Sequence, residues 1–339
     1  MADLLLDIRN LRISATIYPP GEPAKELVIV ESVDLTLEKG KVLGLIGESG
    51  AGKSTIGLAS MGYGRGTVEL GGEVFVSGRD ILAGGLKEQR KLRGKEVTYV
   101  SQSAAASFNP AKRLMDQIIE AALEHGVLGR AEARARAIGL FKELSLPDPE
   151  NIGDRFPHQV SGGQLQRAMT VMALVPEPDL IVFDEPTTAL DVTTQIDVLA
   201  AIKKAIRKTG VAALYITHDL AVVAQVADEI MVLRHGALVE RNTTDNIINH
   251  PTQDYTKALV SVRSIEHEEQ KPSDNPILEC RNISAAYANT IKVLEDVTIQ
   301  VHPGQTLAVV GESGSGKSTL ARVITGLLPP FEGETIFDG

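Results

Sequence analysis

The nonapeptide Gly47-Glu48-Ser49-Gly50-Ala51-Gly52-Lys53-Ser54-Thr55 follows an apolar run, Val42-Leu43-Gly44-Leu45-Ile46, and opens into Ile56-Gly57-Leu58-Ala59. Strand, glycine-rich loop and helix in that order leave few folds open, because the spacing G-x-x-x-x-G-K-[ST] is that of a phosphate-binding loop. Glycines there let successive backbone N–H groups face one concavity with no Cβ in the way. The helix N-terminus behind them adds its positive end. Lys53 then reaches β- and γ-phosphates, and the Ser54 hydroxyl is placed for Mg²⁺. The expected ligand is a nucleoside triphosphate.

The loop returns as Gly311-Glu312-Ser313-Gly314-Ser315-Gly316-Lys317-Ser318-Thr319, changed only where Ala51 becomes Ser315, at an offset of 311 − 47 = 264. The offset holds upstream, where Gly40 matches Gly304 and Val33 matches Val297, and residues 334–339 echo 73–78. Such self-similarity marks two copies of one domain. Residues 1–262 read as a complete nucleotide-binding domain, polar residues 263–275 as a linker, and residues 276–339 as the N-terminal part of a second, incomplete domain.

Leu180-Ile181-Val182-Phe183 and Ala212-Ala213-Leu214-Tyr215-Ile216 are short continuous apolar runs, the profile of buried parallel strands. Between them, residues 192–208 carry an amphipathic helical period. Strands alternating with helices predict an α/β domain with a parallel sheet. Residues 6–13 alternate, 28–37 have β-branched content, and 71–78 read as a further strand bounded by glycines. From 112 the period turns helical. Leu114, Ile118, Ile119, Ala122 and Leu123 share a face, and a second helix is expected over 131–144. Its arginines, Arg130, Arg134 and Arg136, interleave with Glu132 and read as a solvated face rather than a nucleic-acid patch. A formal net charge of −10 points the same way. No apolar run approaches the roughly 20 residues that span a bilayer, and the acidic start lacks a signal-peptide pattern. Cys280, the single cysteine, excludes an internal disulfide, a cysteine zinc site and a cysteine-ligated iron–sulfur cluster. A cytoplasmic chain is expected.

Four motifs follow the first loop. Tyr99-Val100-Ser101-Gln102 ends a strand with a glutamine. Val160-Ser161-Gly162-Gly163-Gln164-Leu165-Gln166-Arg167 is a Ser-Gly-Gly turn opening a helix. Phe183 runs into Asp184-Glu185-Pro186-Thr187, with Ala189-Leu190-Asp191 behind it, and Ile216-Thr217-His218-Asp219 closes the last core strand. In this order the motifs resemble those of the ATP-binding-cassette ATPases, over residues 1–262 and again over 276–339 as far as the second loop and the strand after it.

The resemblance implies a P-loop NTPase core sheet with an antiparallel β subdomain and an inserted helical subdomain. It implies that Lys53 and the loop residues Gly47, Glu48, Ser49, Gly50, Ala51, Gly52 and Thr55 hold the phosphates of ATP. Ser54 and Asp184 then hold Mg²⁺, and Gln102 contacts the ion or the attacking water. Glu185 becomes the general base, His218 contacts the γ-phosphate, and Asp191 lies at the seam between two cassettes. Ser161, Gly162, Gly163 and Gln164 cap the nucleotide of the opposing cassette. Gly311, Gly314, Gly316, Lys317, Ser318 and Thr319 repeat the phosphate site. An aromatic usually stacks on adenine near the end of the first strand. Counted from Asn10 and Asn282, the second copy offers Tyr287 there, but the first offers Ala15, with Tyr18 nearby.

Ser107-Phe108-Asn109-Pro110 and His250-Pro251-Thr252-Gln253-Asp254-Tyr255-Thr256-Lys257-Ala258-Leu259, the latter a longer and looser version of the usual segment, resemble segments of the importers of peptides, nickel and related solutes, some of which join two cassettes in one chain. That branch implies an ATPase subunit docked through residues 103–146 on two membrane permease subunits at the cytoplasmic face of the cell membrane. Its partners are an extracytoplasmic solute-binding protein and a second cassette or homodimer partner, without nucleic acid. One competing reading is a soluble cassette ATPase acting on DNA or ribosomes, for which long heptad arms, cysteine zinc sites and a long charged linker are missing. The other is a fragment that binds ATP without turnover. The second copy stops before its own glutamine loop, Ser-Gly-Gly turn, Asp-Glu pair and histidine, so no competent site is expected within one chain.

Overall fold

The computed structural model describes residues 3–187, 192–261, 275–287, 291–311 and 314–338. Asp191 and all but Asn275 of the expected linker lie outside them. The chain divides into two units, the first comprising residues 1–189 and 195–264, the second 190–194 and 265–339.

The first unit opens with two long antiparallel strands, β1 (Leu4–Ile17) and β2 (Lys25–Glu38). They lead into β3 (Val42–Ile46) and helix α1 (Lys53–Ala59). Then come β4 (Val68–Val76), β5 (Arg79–Asp80), α2 (Gly85–Leu92) and β6 (Val97–Val100). A helical insertion follows: α3 (Ala104–Ser107), α4 (Leu114–Ile118), α5 (Glu120–Glu124) and α6 (Arg130–Glu143). Helix α7 (Gly162–Leu174) returns the chain to β7 (Leu180–Asp184). The unit closes with α8 (Val192–Thr209), β8 (Ala212–Ile216), α9 (Leu220–Val226), β9 (Glu229–Arg234), β10 (Ala237–Thr243), α10 (Thr244–Asn249) and α11 (Asp254–Ser261).

The core is a six-stranded sheet ordered β10-β9-β3-β8-β7-β6, parallel except at β10. Every residue of β3, β7 and β8 is buried, which their unbroken apolar sequence demands once helices cover both faces. Two glycines show how close the cover lies. A Cβ on Gly57 of α1 would stand 2.5 Å from Ile216 Cδ1, and one on Gly44 of β3 would stand 2.2 Å from Val223 Cγ2 of α9. The expected α/β P-loop fold with an antiparallel part and a helical insertion is what forms.

The antiparallel sheet runs β2-β1-β4-β5. Its register slips at Asn10, which takes φ 47° and whose N–H donates to Asp34 Oδ1 at 2.6 Å. Facing it, Gly72 takes φ 91°, and a Cβ there would meet Asn10 O at 2.4 Å. The glycines expected to bound a strand at 71 therefore lie inside β4, which starts at Val68, because the bulge needs them there.

In the helical insertion Leu114, Ile118, Ile119 and Ala122 are buried, and Leu123 is half-buried. The arginines of the second helix are spent on ion pairs within the chain: Arg130 with Asp116, Arg134 with Asp154 and Arg136 with Glu177. Among the described residues no helix is long and apolar enough to cross a membrane.

The second unit holds β11 (Leu278–Tyr287), β12 (Ile291–Val301), α12 (Lys317–Ile324) and β13 (Glu332–Phe337), with sheet order β12-β11-β13. It repeats the first hairpin pair for pair. Leu11↔Val33 becomes Ile283↔Val297, and Ile13↔Val30 becomes Ala285↔Leu294. The offset is 272 on one strand and 264 on the other, so 272 − 264 leaves a connection eight residues shorter. Cys280 is fully buried in a small core with Ile283, Ala285, Leu294, Leu320 and Val323. Residues 306–310, the counterpart of β3, are exposed and belong to no strand. In the first unit β8 and β9 flank β3, and this sequence carries no second copy of either.

Candidate functional site

Parallel strands end on one edge, and the register makes their C-terminal ends coincide. Val100 pairs with Phe183, Asp184 with Ile216, and Leu45 also with Ile216. The residues just after β3, β6, β7 and β8 are the glycine loop, Gln102, Glu185 and His218, so four separate motifs meet at one sheet edge, the usual place for ligands in such sheets.

Gly47 takes φ 152°, and a Cβ on it would sit 2.1 Å from Leu233 O. Gly50 and Gly52 take φ 83° and 85°. The Lys53 ammonium is buried and donates to Gly47 O and Glu48 O, both at 2.8 Å. Burial pulls its pKa down, while the charges of Glu185 and Asp184 push back. Ser54 Oγ donates to Asp184 Oδ1 at 2.8 Å, and the Tyr99 phenol donates to Asp184 Oδ2 at 2.5 Å.

Glu185 follows with φ 47°, a left-handed conformation that costs a glutamate energy and clusters at functional sites. Gln102 Nε2 donates to its Oε2 at 3.1 Å, and His218 Nδ1 is hydrogen-bonded to its Oε1 at 3.0 Å. The turn carrying His218 is braced on either side. Thr217 Oγ1 accepts from Asp219 N, and Asp219 Oδ1 caps α9 through Ala221 N at 2.7 Å. Lys53, Ser54, Gln102 and Glu185 line one cavity of about 280 Å³, with Ile29 and Gly50 on its wall.

Ser161, Gly162, Gly163 and Gln164 do not line that cavity. They start α7 as a capping box, in which Gln164 N donates to Ser161 Oγ at 3.3 Å and Ser161 N to Gln164 Oε1 at 3.1 Å. Further along α7, Gln166 Nε2 donates to Ser101 O at 3.3 Å, tying this helix to the glutamine loop. Neither Ala15 nor Tyr18 lines the cavity, and Tyr18 is exposed.

In the second unit Gly311, Gly314 and Gly316 take φ 150°, 88° and 94°, matching the first loop. Lys317 Nζ donates to Gly311 O at 2.7 Å. Thr319 is buried and Ser318 exposed. The Tyr287 hydroxyl accepts from Arg322 Nη1 at 2.8 Å, which sets the ring against the helix that follows the loop.

Sequence reasoning quoted Tyr99 only as part of a strand end and gave it no role. The available signal was its spacing: three residues before Gln102, on the strand that neighbours the one ending in Asp184.

Fold and site define a nucleotide-binding P-loop protein. A family model described as ABC transporter matches residues 30–188 and 294–339, and the chain belongs to that family. Over 384 aligned positions it is 33% identical to the glutathione import ATP-binding protein GsiA of Shigella dysenteriae and to that of Escherichia coli. The alignments cover 99% of this chain and 60% of those proteins, so the chain spans about three fifths of their length. Among solved structures, a dimeric bacterial ABC transporter cassette matches with TM-score 0.60 at 25% identity, covering 70% of this chain and 98% of its own. The fold is shared also with cbiO1 of Clostridium perfringens, part of an ABC transporter complex, at TM-score 0.60 and 20% identity, covering 77% of this chain and 96% of that one.

Proposed function

We propose that this chain is the ATP-binding and ATP-hydrolysing part of an importer for peptides or a related small solute. One observation carries the reading. The Glu185 carboxylate is held by Gln102 and His218 from two other strand ends, beside the Lys53 and Ser54 of a phosphate loop. A general base must have a fixed orientation towards its water, and two hydrogen bonds provide that here. Lys53 and the loop amides bind the phosphates, and His218 is available to the γ-phosphate. The relatives named for glutathione import favour a peptide-like solute.

The donor set fits magnesium. Ser54 Oγ and Asp184 Oδ1, one hydroxyl and one carboxylate oxygen, lie 2.8 Å apart on facing elements. Mg²⁺ takes one or two protein oxygens and completes its shell with water and phosphate. Among the described residues no cluster of three or more His, Cys, Asp or Glu offers an all-protein cage. When bound, the ion neutralises charge on the transferred phosphoryl oxygens. Glu185 accepts the proton of the water, and Lys53 offsets charge on the leaving side.

Residues 1–262 act as the nucleotide-binding domain, residues 276–339 begin another, and 263–275 join them. Asp191 belongs at the cassette seam, and Ser161, Gly162, Gly163 and Gln164 serve a nucleotide bound across it. Tyr287 stacks on adenine at the loop of Lys317, Ser318 and Thr319. The docking partners are two membrane permease subunits at the cytoplasmic face of the cell membrane, supplied by an extracytoplasmic solute-binding protein. ATPase rate against protein concentration tests the core of this, with Glu185→Gln as control. The expected result is a rate per chain that climbs with concentration and vanishes in the variant while ATP stays bound. Wild-type turnover in the variant would refute the base assignment.

A further inference from the structure

We propose that Tyr99 is a positioning residue for the metal ligand: its phenol holds Asp184 Oδ2, so that Oδ1 alone is presented beside Ser54. The inference rests on the magnesium-nucleotide reading of this site.

The geometry is dictated by the sheet. Tyr99 pairs with Val182 in the parallel β6–β7 ladder. Side chains alternate along a strand, so Tyr99 stands on the face of Val182 and of Asp184 two residues on. That is the face covered by α1, whose Gly57 lies against Val182 and Ile216. A diagonal neighbour in a ladder is within reach of a long aromatic side chain, and the hydroxyl lands 2.5 Å from Oδ2. Phe or Met would fill the same volume against the core without offering a proton.

A carboxylate with two free oxygens can turn about its last torsion or chelate with both. Asp184 is 7% exposed, so solvent does little to steer it. The two bonds, Ser54 to Oδ1 and Tyr99 to Oδ2, fix its plane. A phenol carries its proton near neutral pH, and an ionised carboxylate only accepts, so Tyr99 is the donor in this bond. Outer partners of this kind orient metal ligands, and their loss costs roughly 10- to 100-fold in metal affinity. Tyr99 also lies three residues before Gln102, which follows the end of the same strand, so the strand that aims the ligand leads into the glutamine loop.

The test uses the full chain carrying Glu185→Gln to stop turnover, with and without Tyr99→Phe. Binding of a fluorescent ATP analogue is followed during magnesium titration and again in excess EDTA, and binding of manganese by electron paramagnetic resonance. The expected result is a metal midpoint raised by about tenfold or more in Tyr99→Phe, with affinity in EDTA unchanged. Tyr99→Met, which lacks the hydroxyl in another shape, shifts it alike. Midpoints within about twofold of the parent, or an equal loss of affinity in EDTA, overturn the assignment. Nucleotide binding by the parent that ignores both metals overturns instead the magnesium reading beneath it.

Discussion

Glu240 of β10 is 8% exposed, yet its carboxylate serves a segment twelve residues further on. Oε1 accepts from Thr252 N at 2.9 Å and Thr252 Oγ1 at 2.7 Å, and Oε2 accepts from Gln253 N at 3.1 Å. These are donors at the start of α11, where a helix leaves its first N–H groups without internal partners. Burial alone pushes the Glu240 pKa up. The nearby Thr256 hydroxyl and the hydrogen bonds of Thr252 and Gln253 outweigh it and bring the value from 4.5 down to about 2. At about 1.4 kcal/mol per pKa unit this corresponds to about 3 kcal/mol of native-state stabilisation near neutral pH. Glu240→Gln keeps the volume but turns an amide NH₂ towards groups that are themselves donors. The expected loss is about 2–3 kcal/mol, read by urea unfolding at neutral pH, with faster hydrogen exchange at Thr252 and Gln253. The folded pKa is depressed, so the carboxylate's contribution is whole above 4.5 and disappears as pH falls towards 2. The gap between wild type and variant therefore stays constant from neutral pH down to that point and narrows in acid. A gap below about 0.5 kcal/mol at neutral pH, or one that widens on acidification, would refute the reasoning.

Gly47→Ala drives a Cβ to 2.1 Å from Leu233 O at φ 152°, so the loop must shift. ATP affinity should fall more than about tenfold (1.4 kcal/mol or more) by calorimetry, and unchanged affinity sinks the idea. Arg93 Nε and Nη2 donate to Met61 O at 3.0 Å and Gly62 O at 2.6 Å, just beyond the end of α1. Arg93→Met should cost about 2 kcal/mol in urea unfolding, and a neutral effect would mean that water replaces the guanidinium. Residues 275–339 alone combine a six-residue buried cluster with the exposed 306–310 run. They should melt without a cooperative transition, and a sharp calorimetric peak would contradict that.

The α/β class and the glycine loop were legible because β3, β7 and β8 are unbroken apolar runs and because a phosphate loop has no substitute for its glycines. The candidate residues Gln102, Glu185 and His218 could be picked out one by one, since each follows the end of an apolar strand. Their convergence could not, because it depends on β3 lying between β8 and β9, pairings of strands about 170 and 187 residues apart that no local period reports. The second copy shows the converse. Residues 306–310 repeat the chemistry of β3 but form no strand, because an apolar run acquires its ladder only from neighbours. Tyr99 was missed because its partner belongs to another strand and depends on register. The slip at Gly72 was missed because a glycine inside a strand and one bounding it look alike in sequence.

At Gly47 the phosphate loop rests on the main chain of Leu233, and at Gly236 a Cβ would stand 2.1 Å from Ile29 O. Both contacts join backbone to backbone, from the two ends of the β9–β10 corner. Such seams carry no side-chain identity, so sequence drift elsewhere can recolour the surfaces around them without altering the fit. The loop's back wall is thus inherited as shape, and a single added methyl group at either glycine is a larger insult than most charge reversals on the surface.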